Sequence, residues 1–191
     1  DRKAFAPKVQ LAKTLAKSYT VHVMEDPCRV LFLVYLIIII YMETREYNQQ
    51  DEAQVKSIFA QYWTDPEFLN ELEKNLKSTD CNFYVADKSG EIVGVAGIRE
   101  APGFLSAHSD TDNPAELYVI ASKRQNEGIG SLLGQKMIEK TRDLGFTEIV
   151  AYSPETHNSS WPFYEKLEFT QGGIIKDPDD GYPGMLWKKI I

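Results

Sequence analysis

Residues 115–145 read AELYVIASKRQNEGIGSLLGQKMIEKTRDLG. An apolar, strand-like run (AELYVI) passes through a polar loop into a segment with Ile129, Leu133, Met137, Thr141 and Leu144 on one helical face. That segment stops at Gly145, a residue suited to follow a helix C-terminus. A helix start ordinarily takes Ser, Thr, Asp or Asn as its cap, yet here Gly128 and Gly130 occupy the junction. The first N–H groups of a helix lack partners within it and sit at the positive end of its dipole. Glycines at that point let an anion approach the backbone, although a plain tight turn explains the letters equally well. Leu133 stands where a strict G-x-G-x-x-G would place its third glycine, and no G-K-[ST] follows, which excludes a P-loop.

The flanking sequence is regular from Met42 onward. METREYN (42–48) alternates as a short strand, and Asn48 or Asp51 can cap a helix carrying Val55, Ile58, Phe59 and Tyr62. Asp65-Pro66 opens a second helix with Phe68, Leu69, Leu72 and Leu76 on its buried side. FYVAD and EIVGVAGIRE flank the turn KSG as a hairpin. A polar loop, 101–114, then leads into AELYVI. After the glycine helix come strand TEIVAYS, short helix SSWPFYEKL, and strands FTQGGII and GMLWKKI. The order β-α-α-β-β-β-α-β-α-β-β predicts an α/β fold with one mixed sheet flanked by helices.

Residues 1–41 differ in character. They hold six Lys/Arg against three Asp/Glu, whereas 42–191 hold 15 against 25. The apolar run VLFLVYLIIIIYM (30–42) would reach about 20 Å as a helix, short of the roughly 30 Å hydrocarbon core. The segment therefore reads as an N-terminal extension outside the working domain rather than a membrane span. A net charge of −7 argues against nonspecific nucleic-acid binding. Cys28 and Cys81, far apart and without histidines at ligand spacing, make neither a disulfide framework nor a metal site; a reducing, cytoplasmic setting is expected. A homodimer is compatible with this sequence.

Gln125-Asn126-Glu127-Gly128-Ile129-Gly130 resembles the [QR]-x-x-G-x-[GA] loop of the GNAT superfamily of N-acetyltransferases, and FYEKLEF (163–169) resembles its second signature, [FL]-Y-x-K-x-G-F. The resemblance covers about 42–191, and the predicted element order is also that of the superfamily. It implies acetyl-CoA as cosubstrate and a primary amine, on a small molecule or a peptide, as acceptor. Gln125, Gly128, Ile129, Gly130 and Ser131 would hold the pyrophosphate. The backbone of Tyr118 and Val119 would meet the pantetheine arm and the thioester carbonyl. Three departures accompany it. The loop is one residue long, so Arg124 competes with Gln125; Glu168 replaces the second motif's glycine; and Asn158, a candidate cofactor contact, precedes Tyr164 by six residues where the family has seven.

Acetyl transfer to an amine needs a neutral nucleophile, a stabilised tetrahedral oxyanion and a protonated leaving thiol. The resemblance sets Tyr164 beside the CoA sulfur as the acid; without the motif it reads as a buried aromatic beside Trp161 and Phe163. Glu116, on the strand before the loop, is the candidate base, with a bound water or an ordinary strand-end carboxylate as the other readings. His108 and His157 are accessory candidates. Asp110, Asp112, Asp177, Asp179 and Asp180 read as solvated turn residues or as an attraction for a cationic amine. The alternative to an enzyme is a CoA-binding module of the same fold without turnover.

Overall fold

The computed structural model describes residues 42–178 and 181–191. The readings made for the apolar run 30–41, Cys28, Asp179 and Asp180 lie outside the described residues. The chain divides into two units, Asp1–Glu43 and Thr44–Ile191. The second is described here, together with Met42 and Glu43, where its first strand begins.

Seven strands form one sheet in the order β1-β2-β3-β4-β5-β7-β6. They are β1 Met42–Glu46, β2 Cys81–Lys88, β3 Glu91–Glu100, β4 Pro114–Ser122, β5 Glu148–Pro154, β6 Thr170–Lys176 and β7 Pro183–Ile190. Among the described residues the α-helices are α1 Glu52–Phe59, α2 Pro66–Asn75, a single turn α3 Gly103–Ser106, α4 Ile129–Asp143 and α5 Trp161–Lys166. The β-α-α-β-β-β-α-β-α-β-β order holds; α3 is an addition inside the loop read as polar, where Leu105 turns inward and is fully buried. Pairing is antiparallel from β2 to β4 and from β5 through β7 to β6. The β4–β5 pair is parallel, as the intervening helix α4 requires.

Local signals explain the helix starts. Asn48 accepts from Gln50 N at 2.9 Å and its own N–H donates to Asp51 Oδ2 at 3.0 Å, so both residues proposed as caps share one capping box. Asp65 caps α2, accepting from Glu67 N at 3.0 Å, with Pro66 in its first turn. Val55, Ile58, Phe59, Leu72 and Leu76 pack with Phe83, Val85, Ile92, Val95 and Val119 into a core between α1, α2 and one face of β2–β4. On the opposite face, Ile129 and Leu133 of α4 press against Gly94 of β3. Leu144, read as part of the buried face of α4, is 41% exposed instead, because it lies past the last helical residue, where the chain turns out at Gly145.

That exit is a Schellman motif: Phe146 N donates to Thr141 O at 3.2 Å and Gly145 N to Arg142 O at 3.0 Å, with Gly145 at φ +82°. The same motif ends α5, where Phe169 N donates to Tyr164 O at 3.0 Å and Glu168 N to Glu165 O at 2.9 Å. Here the left-handed residue is Glu168, at φ +62°. Its side chain is 88% exposed and reaches only Lys189, at 3.4 Å. The departure from the second signature is thus absorbed as backbone strain, with the turn intact. Left-handed geometry costs a non-glycine residue about 1–2 kcal/mol, part of which glycine returns as unfolded-state entropy. Glu168→Gly is expected to stabilise the protein by about 0.5–1 kcal/mol, a Tm rise of roughly 1–4 °C in a thermal melt. A lowered Tm would refute the strain.

The loop before β4 is pinned from below by Glu148, which is fully buried at the start of β5. Its Oε2 accepts from the Ser109 hydroxyl, from Asp110 N at 2.8 Å and from Thr111 N at 3.1 Å. Asn113 adds bonds to Gly145 O and Thr147 N. The strand that leads into the glycine loop therefore starts from a fixed point.

Candidate active site

The β4–β5 ladder contains three pairs, Pro114↔Glu148, Ala115↔Ile149 and Glu116↔Val150, and ends there. β4 continues to Ser122 and β5 to Pro154 without pairing to each other, so the two strands part in the middle of the sheet. The edge of β4 facing β5, beyond Glu116, keeps its backbone groups for something other than a strand. A bulge sharpens the parting: Gly97 pairs with Val119 and Ile98 with Leu117, which leaves Tyr118 as the extra residue. Tyr118 and Val119 thus lie on the free stretch of β4.

At the far end of that stretch stands the start of α4. Gly128 is its N-cap at φ +79°, with no side chain capping the helix and no acidic residue in the first turn. A Cβ at Gly128 would meet nothing within 4 Å, so conformation, not crowding, demands glycine here. The amides of Ile129, Gly130 and Ser131 therefore begin the helix without a side-chain cap. Asn126 is also left-handed, at φ +64°, tightening the loop. This fits a polyanionic group: uncapped N–H donors, a positive dipole end, no carboxylate in the first turn and access to backbone. Of the two competitors for the extra position, Arg124 lines a hollow of about 50 Å³ with Lys88, Lys123 and Glu127. Gln125 is exposed and contributes nothing to that hollow.

Glu116 closes the β4–β5 ladder, and Tyr164 of α5 lies within reach of its charge. Glu116 is 7% exposed, and its Oε2 accepts from Arg99 Nε at 2.6 Å. Burial raises its pKa above the ordinary carboxylate range, against the opposing pull of Arg99. Tyr164, 7% exposed in α5, stacks on Trp187 of β7 with centroids 5.1 Å apart and planes 12° apart. Phe163 and Phe169 meet it edge-on. Burial, reinforced by the charge of Glu116, pushes the phenol well above its ordinary value, so it stays protonated. The site thus holds a carboxylate whose proton affinity is raised and a phenol that keeps its proton.

Other candidates are less engaged. Asn158 is exposed in the 3₁₀ turn Glu155–Ser160 that follows β5, and its carbonyl accepts from Trp161 N. His108 and His157 are exposed, outside this cluster. Asp110 pairs with Lys188 at 2.6 Å, and Asp112 is exposed. No group of three or more His, Cys, Asp or Glu suited to a metal occurs among the described residues, nor does any helix of membrane-spanning length and apolarity.

Sequence reasoning missed the polar wall beside Glu116. Arg99 lies over Tyr118, its guanidinium carbon 3.7 Å from the ring centroid. The Tyr118 hydroxyl donates to Glu71 Oε1 at 3.0 Å and accepts from Asn75 at 3.0 Å. No local pattern announces these partners; they meet only through the strand register and the packing of α2.

The profile of the Acetyltransferase (GNAT) family matches residues 41–169. Solved structures share the fold. NAA60 from Arabidopsis thaliana in complex with acetyl-CoA superposes with a TM-score of 0.63 at 12% identity, covering 78% of this chain and 98% of that one. A GCN5-related N-acetyltransferase from Kribbella flavida gives 0.61 at 22% identity, over 79% and 98%. The PaiA N-acetyltransferase from Thermoplasma acidophilum in complex with coenzyme A gives 0.57 at 16% identity, over 78% and 99%. A search of curated proteins gives no match.

Proposed function

The chain belongs to the acetyltransferase (GNAT) family, and from that premise we propose that it transfers the acetyl group of acetyl-CoA directly to a primary amine on a small molecule or a peptide. The observation that carries this reading is the parting of β4 and β5 after Glu116↔Val150, with an uncapped helix start at its far end. Acetyl-CoA supplies an activated thioester. Gly128, Ile129, Gly130 and Ser131 offer their amides to the pyrophosphate, the two glycines leaving the backbone open to approach, with Arg124 or Gln125 alongside. The free edge of β4 at Tyr118 and Val119 offers main-chain bonds to the pantetheine arm, and a preset N–H there stabilises negative charge growing on the carbonyl oxygen. Asn158, after β5, is an added contact.

Glu116 takes the proton that an ammonium must lose before its nitrogen can attack, and a carboxylate with raised proton affinity suits that task. Tyr164 gives a proton to the departing sulfur. The test is release of free thiol from acetyl-CoA across a panel of primary alkylamines, polyamines, amino acids and short peptides. Amine-dependent release is expected. Binding of acetyl-CoA with no release for any amine would make the chain a binding module instead.

A further inference from the structure

Arg99 sits against the proposed base without a part in the reaction as described. It stands across from Glu116 in the β3–β4 register and donates Nε to Oε2 at 2.6 Å. Its guanidinium lies over the Tyr118 ring, and Nη1 lies 3.5 Å from Glu71 Oε1, the oxygen that also accepts the Tyr118 hydroxyl. A planar, permanently charged fork fits such a slot between two carboxylates and a ring; a lysine ammonium does not reproduce it. Glu116 Oε1 takes no hydrogen bond from the described residues and is not sealed from solvent. One oxygen is therefore held while the other is free to receive.

We propose that Arg99 is the positioning residue of the transfer reaction, clamped by Tyr118 and Glu71 so that it holds the Glu116 carboxylate ionised and oriented toward the incoming amine. This rests on Glu116 being the base. In the step concerned, an N–H bond of the acceptor ammonium breaks, the electron pair stays on nitrogen for the attack, and the proton joins the free oxygen of Glu116; Arg99 keeps its own protons throughout. The ionisable groups facing Glu116 are Arg99 of β3, Glu71 of α2, Cys81 of β2, Asp177 after β6 and Tyr164 of α5. Arg99 is the one cation in this set. Burial, Glu71 and Asp177 all favour the protonated carboxyl, and Arg99 opposes them.

The experiment is the pH profile of kcat/KM for the full chain with acetyl-CoA and the best amine of the panel. Protonating Glu116 produces the acid limb. Arg99→Gln removes the opposing cation and is expected to move that limb up by roughly one to three pH units. At the pH where the wild type keeps half its activity, Arg99→Gln then keeps about a tenth or less. Arg99→Lys retains the charge and restores the limb toward its original position, with a lower kcat from lost orientation. Glu71→Gln, at a half-exposed position, is expected to move the limb the other way, to lower pH, and serves if Arg99→Gln fails to fold. An unmoved limb in Arg99→Gln, or an unmoved or upward limb in Glu71→Gln, overturns the role of Arg99. Glu116→Gln separates the two readings: a near wild-type rate there removes the base assignment and Arg99's role with it. A collapsed rate with unmoved limbs removes only the latter.

Discussion

Gly128→Glu is expected to remove nearly all of the rise in melting temperature that acetyl-CoA confers on the wild-type protein. A ligand at about 100 times its Kd stabilises the folded state by roughly 2.7 kcal/mol, which for a chain of this size is a Tm rise of about 5–11 °C. The substitution attacks that binding twice. It puts a carboxylate on the helix start that otherwise has no acidic residue in its first turn, opposing a phosphate where the dipole would favour it. It also forces a side chain into a left-handed residue at φ +79°. Charge opposition of about 3 kcal/mol, reasonable for a part-screened pair, would reduce the ligand shift to about 1 °C. Strain alone costs about 1–2 kcal/mol and lowers the unliganded Tm by a few degrees. Since a Cβ at this position meets nothing within 4 Å, the domain still folds. Gly128→Ala carries the strain without the charge and is expected to keep much of the ligand shift. A full shift in Gly128→Glu would place the anion elsewhere.

Where the sequence was legible, local physics decides the outcome. Capping at Asn48 and Asp65, the turn at Gly145 and the strand–glycine–helix junction each depend on a few neighbouring residues, and each appears as read. What was illegible depends on register. Arg99 meets Glu116 because β3 and β4 pair with one extra residue at Tyr118, and a single-residue slip would turn the same side chain to the other face. No periodicity within β3 carries that information. Glu148 is a second instance: a charged residue opening a strand reads as solvated, yet here it is enclosed by the loop amides it binds. Glu168 is instructive in the opposite sense. As a letter it counted against the second signature, and as a backbone angle it fulfils the same turn.

Tyr164→Phe is expected to lower kcat about 100-fold, the scale of a lost general acid, with KM for acetyl-CoA and the melting temperature near wild type. The packing supports this separation. Phenylalanine preserves the stack on Trp187 and the edge contacts with Phe163 and Phe169, so only the hydroxyl is removed. The pH dependence adds a sharper criterion. Burial and the Glu116 charge raise the phenol's pKa, so Tyr164 is protonated at every pH below its ordinary value of about 10. The ratio of wild-type to Tyr164→Phe rates should therefore be constant from about pH 6 to 9, while both share the acid limb set by Glu116. Single-turnover measurements keep slow product release from masking the chemical step. An unchanged single-turnover rate across that range would mean that the leaving thiol takes its proton from another source, and would return Tyr164 to the role of an aromatic packed on Trp187 of β7.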